Sequence, residues 1–346
     1  MKKISAPVSD FLNILRIIAA ACVVLGHGFS IFKIGPLQDT KYFPNIQSLA
    51  VLVFFILSGF LTSFSLRKGK YTYKSFVINR FKRIYSFFIP SLLLIFISDF
   101  IWIIIYPDSY QFYINFNITT VIKNLALLPR IGILDGKGIL SVLFYNEPFG
   151  SGRPFWTLFI EWWLYILYGY LHISIRKNKV LKICELVVCF SLAAFFLLFD
   201  ISSKICVICF FFGVLINRFY KKMRITRLYS GIAIVFFAFL FIVVSIYKKE
   251  TYTLEEAIII SGLILSFVLF FEKFKYDHTN VLLKTISGIT YPLYLIHYTV
   301  MEFTLNVISY GNRTVLFVCS CCISILVSVA LYFVVSSNRF FINVVY

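Results

Sequence analysis

The stretch Arg16-Ile-Ile-Ala-Ala-Ala-Cys-Val-Val-Leu-Gly-His27 lies in an apolar run long enough to cross a bilayer. Two ionisable side chains inside such a run are costly and need a purpose. Eleven positions at about 100° each come to three turns plus roughly 20°, so Arg16 and His27 leave the helix on one face, about 16 Å apart along its axis. A cation at one end to hold phosphate and an imidazole at the other for acid/base work is the layout an acyl-CoA thioester would need. The alternative is an Arg that snorkels to the membrane surface and a His that hydrogen-bonds a neighbouring helix.

Outward from this segment, the rest of the chain has the same character. Its 346 residues are 60% hydrophobic and 14% charged, with a mean hydropathy of +0.89. That composition excludes a soluble protein of this size. Apolar stretches recur at about 11–30, 46–66, 84–106, 156–175, 181–199, 204–220, 228–247, 255–271, 286–308 and 313–335, each near the length a span requires. The fold class expected is therefore all-α, a polytopic integral membrane protein of about ten transmembrane helices. Residues 1–346 read as a single membrane domain with no added soluble domain.

Charge sets the orientation. With the N-terminus inside, 22 Lys and Arg fall on inner segments and 10 on outer ones, Arg16 completing the 33. The bias places both termini in the cytoplasm. The net charge of +18 is then mostly an orientation signal with some attraction to anionic lipid or phosphate, and no nucleic-acid partner is expected, because the basic residues sit in short loops between helices. The opening Met-Lys-Lys resembles a signal peptide superficially, but Arg16 interrupts the apolar run, so it reads as a retained first helix. Most of the eight Cys, including Cys206 and Cys209 and the Cys319, Cys321 and Cys322 cluster, fall in spans without His or acidic partners. They read as buried apolar residues, and no metal is expected. The long outer segment 107–155 is expected to hold a re-entrant or interfacial piece around Asn124 to Leu128.

The remaining signals are polar residues that the membrane must tolerate. Arg80 and Arg83 are three apart at the start of the third span and can clamp one anionic group, although a positive-inside anchor alone accounts for either charge. Glu161, in Trp156-Thr157-Leu158-Phe159-Ile160-Glu161, must be neutral, paired or exposed to a wet cavity at its depth. His27 and Glu161 both fall in the outer halves of their helices, so they can meet as an imidazole and its orienting carboxylate. A structural Glu bonded to tryptophan or hydroxyl is the competing reading. In the ninth span Pro292 frees a backbone carbonyl, while Tyr291, Tyr294 and His297 supply polar groups at three-residue spacing, the pattern of a cavity wall. Asp99, Glu185 and Glu302 rank as ion-pair or helix-end residues, and His172 and His278 as solvated ones near the inner surface.

Together these segments resemble the membrane-bound acyltransferase-3 family over the whole length. The resemblance rests on the Arg16 to His27 helix, Phe54-Phe55-Ile56-Leu57-Ser58-Gly59-Phe60-Leu61, Arg80-x-x-Arg83, Trp156-Thr157-Leu158-x-x-Glu161, and Gly288-Ile-Thr-Tyr-Pro-Leu-Tyr-Leu-Ile-His297. One departure is that the family's first helix often begins Asp-Gly-Leu-Arg, where this chain has Asn13-Ile14-Leu15-Arg16.

The resemblance implies a polysaccharide O-acetyltransferase. His27 would be the base and Glu161 its support. Arg16, Arg80 and Arg83 would bind the acyl donor, acetyl-CoA, as co-substrate. Tyr291, Tyr294 and His297 would face the acceptor, a carbohydrate or lipid-linked glycan, and the expected location is a bacterial inner or plasma membrane. His27 would either deprotonate a sugar hydroxyl for direct attack or form an acyl-histidine first. A transporter or exporter of a sugar or lipid is the alternative, since polar residues in broken helices also mark substrate paths. The absence of a repeated pair of interrupted helices weighs against it.

Overall fold

In the computed structural model the described residues are 4–34, 45–67, 72–128, 146–174, 200–247, 250–308 and 311–337. The expected span 181–199 and Glu185 lie outside them. The elements in chain order are α1 (Ala6–Phe32), α2 (Ile46–Arg67), α3 (Tyr73–Ile105), α4 (Ile118–Leu125), α5 (Phe155–Ser174), α6 (Ile201–Phe219), α7 (Arg227–Tyr247), α8 (Leu254–Phe271), α9 (Val281–Phe303) and α10 (Arg313–Ser337). No strand occurs among the described residues. Seven of these helices, α1, α2, α3, α6, α7, α8 and α10, are long and apolar enough to cross a membrane. α5 and α9 correspond to the expected spans 156–175 and 286–308 but are not among the seven. They carry the Glu, His, Tyr, Thr and Ser residues of the candidate site, which lower their hydropathy.

Several helices start earlier than the apolar runs. α3 begins at Tyr73 rather than near 84, because Thr72 caps it by accepting from Ser75 N at 3.2 Å and the helix carries its polar first turns with it. At 1.5 Å per residue its 33 residues span about 50 Å, well beyond a hydrocarbon core of about 30 Å, so Arg80 and Arg83 sit on a helix rather than in a loop. α9 begins at Val281, where Asn280 Oδ1 accepts from the backbone of Leu282 and Leu283 at 2.9 and 3.2 Å. It runs through Pro292, and residues Thr304–Ile308 form a π-helical turn.

The chain folds as two compact units interleaved in sequence. One holds α1 up to Gly26, α2, most of α6, α7, α8 and the start of α9. Here α2 and α6 touch backbone to backbone: a Cβ added to Gly59 would lie 1.8 Å from Phe210 O, and one added to Gly213 1.9 Å from Ile56 O. Only glycine permits that approach. Phe11 stacks on Phe267 and Phe271 at 5.3 and 5.1 Å. Buried Asp10 accepts from Asn280 N and the Tyr276 hydroxyl, both at 3.0 Å. Asn13 accepts from Ser287 Oγ at 2.9 Å.

The other unit holds the end of α1 from His27, then α3, α4, α5, α9 from Tyr291, and α10. α3 packs along α5, with Phe88 edge-on to Phe155 at 4.9 Å. Trp102, Tyr110 and Phe112 form an aromatic core where α3 gives way to the following loop. α4 is short, and Asn124 at its end is buried. Its side chain bonds Asn146, Glu147 O and Phe149 N at 2.8 to 3.1 Å, tying α4 to the segment before α5. Cys206 and Cys209 are buried on α6, as expected, whereas Cys319 and Cys322 face outward on α10. The inward stripe of α10 is Ser320, Ser324 and Ser328, whose hydroxyls bond their own helix.

Candidate functional site

The site is built in the second unit, and α9 supplies its wall. His297 is fully buried, and its Nδ1 lies 3.1 Å from Leu293 O and 2.9 Å from Tyr294 O. Carbonyl oxygens only accept, so Nδ1 carries the proton and Nε2 presents a lone pair. Nε2 has no hydrogen-bond partner among the described residues. The ring of half-buried His27, on the last turns of α1, stands 5.4 Å from that of His297 and 5.2 Å from that of Tyr298. Two imidazoles far apart in sequence thus lie side by side.

α5 supplies the facing residues. Thr157, Glu161 and Tyr165 recur every four positions and therefore lie on one helical face. Thr157 Oγ1 donates to Pro154 O at 2.9 Å, which leaves it to accept from the Tyr294 hydroxyl at 3.0 Å. Glu161 accepts a hydrogen bond from the Tyr165 hydroxyl. The Arg80 guanidinium is buried between the rings of Tyr165 and Phe76, at 4.9 and 5.1 Å from their centroids. Arg83 is within electrostatic reach of Glu161, Tyr165 and Tyr291. Tyr291 stands edge-on to Phe87 at 5.6 Å, with its hydroxyl buried and without a hydrogen-bond partner among the described residues. A seam of polar groups therefore runs from His27 and His297 through Tyr294 and Thr157 to Glu161, Tyr165 and Arg83.

One expectation changes against this geometry. His27 meets His297 and Tyr298, whereas Glu161 is held by Tyr165 and lies near Arg83, so the anticipated imidazole–carboxylate pair is not formed. Thr157 and Glu161 are four positions apart, about 6 Å of helix, and Thr157 is the one bonded to Tyr294. Aromatic faces hold Arg80, and Arg83 lies within electrostatic reach of Glu161. Arg16 lies on α1 within the first unit.

Asp99 is also placed differently from the ion-pair reading. It is buried on α3 and accepts from Ser151 N at 2.8 Å and the Tyr110 hydroxyl at 3.0 Å, with Ser151 Oγ 2.7 Å from its second oxygen. Ser151 Oγ is also 2.8 Å from Thr299 Oγ1, one residue beyond Tyr298. Burial and the nearby Asp99 carboxylate raise the pKa of Tyr110, which keeps its hydroxyl protonated as a donor. The carboxylate thus ties α3, the loop before α5 and α9 together behind the imidazoles. Glu302 does have a cation in reach, Arg153, and bonds Asn306 Nδ2 at 3.2 Å. The only hint of Asp99's role in the sequence is an acid inside an apolar helix. The roles of Thr157, Tyr165 and Tyr298 carry no separate signal there.

Compared with protein-family models, residues 9–333 match the acyltransferase-3 model, described as an acyltransferase domain. No curated protein matches the chain, and no solved structure does.

Proposed function

The chain belongs to the acyltransferase-3 family and is an integral membrane acyltransferase, and we propose that it moves an acetyl group from cytoplasmic acetyl-CoA to a sugar hydroxyl of a cell-surface or lipid-linked polysaccharide. The observation that carries this reading is the polar seam from His27 to Arg83. It offers a base at one end and cationic side chains at the other, inside helices that otherwise exclude water. His27 takes the proton of the acceptor hydroxyl as its oxygen attacks the thioester carbonyl carbon; the carbon–sulfur bond breaks, and the thiolate leaves with that proton. Arg83 and Arg80 hold the phosphates of the donor. Tyr291 and Tyr294 bind the acceptor beside His297, and Glu161 keeps Arg83 and Tyr165 in place.

Ten spans with both termini in the cytoplasm of a bacterial inner membrane complete the proposal, because that orientation puts the start of α3 on the side where acetyl-CoA is found. Mass spectrometry of surface glycans from cells with and without the gene tests it. Loss of acetyl groups from one glycan species is expected on deletion. Unchanged acetylation across all surface glycans would overturn the choice of acceptor class.

A further inference from the structure

A buried acceptor with nothing to accept is unfavourable, and His297 Nε2 is such an atom. Its tautomer is fixed by its own helix, since Nδ1 faces two carbonyls. The group beside it is the His27 ring, at 5.4 Å between centroids, a separation that one hydrogen bond or one bridging water spans. A general base on a neutral imidazole needs its far N–H held by an acceptor, so that the near nitrogen stays deprotonated and aimed at its target. Glu161 is engaged with Tyr165, and Asp99 with Ser151 and Tyr110. Neither carboxylate contacts the His27 ring.

We propose that His297 is the positioning residue of His27, accepting the His27 N–H on Nε2 directly or through one water. This rests on the reading of His27 as the base. The acceptor hydroxyl gives its proton to the free nitrogen of His27 while its oxygen bonds the thioester carbon, and the proton leaves with the thiolate. His297 keeps its Nδ1 proton throughout. Once His27 is an imidazolium, its hydrogen bond to Nε2 becomes charge-assisted, so the interaction strengthens in the transition state and acts on kcat. A neutral imidazole does here what a buried carboxylate does in the triads of water-soluble hydrolases, without placing another charge in the membrane.

The test compares wild type, His27→Ala, His297→Phe, His297→Gln and the His27→Ala/His297→Phe double variant in nanodiscs, with kcat and KM for acetyl-CoA. It adds nitrogen-15 NMR of the four histidines. Expected is a fall of about 30-fold or more in kcat for His297→Phe with KM within about twofold, and partial recovery by His297→Gln, whose amide oxygen still accepts. The double variant should be no slower than His27→Ala, and the His27 ring should show one tautomer in wild type and a mixture in His297→Phe.

If His27→Ala is inactive while His297→Phe keeps more than half of wild-type kcat, the positioning role is overturned and the base assignment stands. If His27→Ala itself retains turnover, both fall. Should His297→Phe fail to insert, His297→Ala takes its place: a single His27 tautomer with kcat within twofold of wild type overturns the proposal, and a mixed tautomer with a loss confined to kcat supports it.

Discussion

Asp99 on α3 and Ser151 before α5 are joined twice, through the Ser151 backbone N–H at 2.8 Å and its hydroxyl at 2.7 Å. Gly150 makes the approach possible: its φ is +52°, and an added Cβ would fall 2.0 Å from Asp99 Oδ2. Asp99→Ala strands the Ser151 and Tyr110 donors in a buried site and should cost about 2–4 kcal/mol. Asp99→Asn should cost under about 1 kcal/mol, since its oxygen still serves two donors and Ser151 can turn its proton to Thr299. Gly150→Ala should lie close to Asp99→Ala, combining a strained backbone with a displaced carboxylate. Thermal unfolding in detergent checks the order, and Asp99→Asn as damaging as Asp99→Ala would show that charge rather than bonding holds the loop.

The Thr157–Tyr294 hydroxyl pair links α5 to α9. Thr157→Val and Tyr294→Phe should each cost about 1 kcal/mol, and the double variant less than their sum. A double-mutant cycle on unfolding measures the coupling, and strict additivity would mean that the two hydroxyls do not depend on each other.

Glu161→Gln keeps the size of the side chain and removes its charge beside Arg83 and Tyr165. Turnover should drop about tenfold or more, because a cation left beside a neutral amide no longer holds its position. Steady-state acetyl transfer at saturating donor reads this, and turnover within twofold of wild type would return Glu161 to a packing role.

Arg83→Ala should mainly raise KM for acetyl-CoA, by about tenfold, since phosphate contacts remote from the thioester bind ground and transition states alike. Arg83→Lys should recover only part, because a point charge does not reproduce the planar fork. A titration of acetyl-CoA in nanodiscs is the check; an unchanged KM in correctly inserted protein would leave Arg83 as a membrane anchor.

Much of this molecule is legible in its sequence because apolar runs of membrane length have few alternatives, and the described helices fall where those runs are. The early start of α3 is less legible, because Thr72 to Asn79 precedes the apolar run and its cap appears only in the structure. The polar site divides in the same way. Arg83, Glu161, Tyr294 and His297 announce themselves as polar residues in apolar surroundings. Which of them touch depends on how the helices pack, and helical spacing carries no information about that: the sequence allows Glu161 to meet His27 or to bond a hydroxyl, and its neighbours include Tyr165 and Arg83. The Asp99–Ser151 contact joins residues far apart in the chain without any periodic pattern, and nothing in the sequence points to it.

The central claim is acyl transfer with His27 as base, and the most direct measurement is release of CoA thiol from acetyl-CoA by the protein in nanodiscs, with and without a glycan acceptor, for wild type and His27→Ala. Acceptor-dependent release by wild type, falling about 100-fold or more in a variant that inserts normally, is the predicted result. No acceptor-dependent release by wild type with any surface glycan fraction, or more than half of the wild-type rate in His27→Ala, would contradict it.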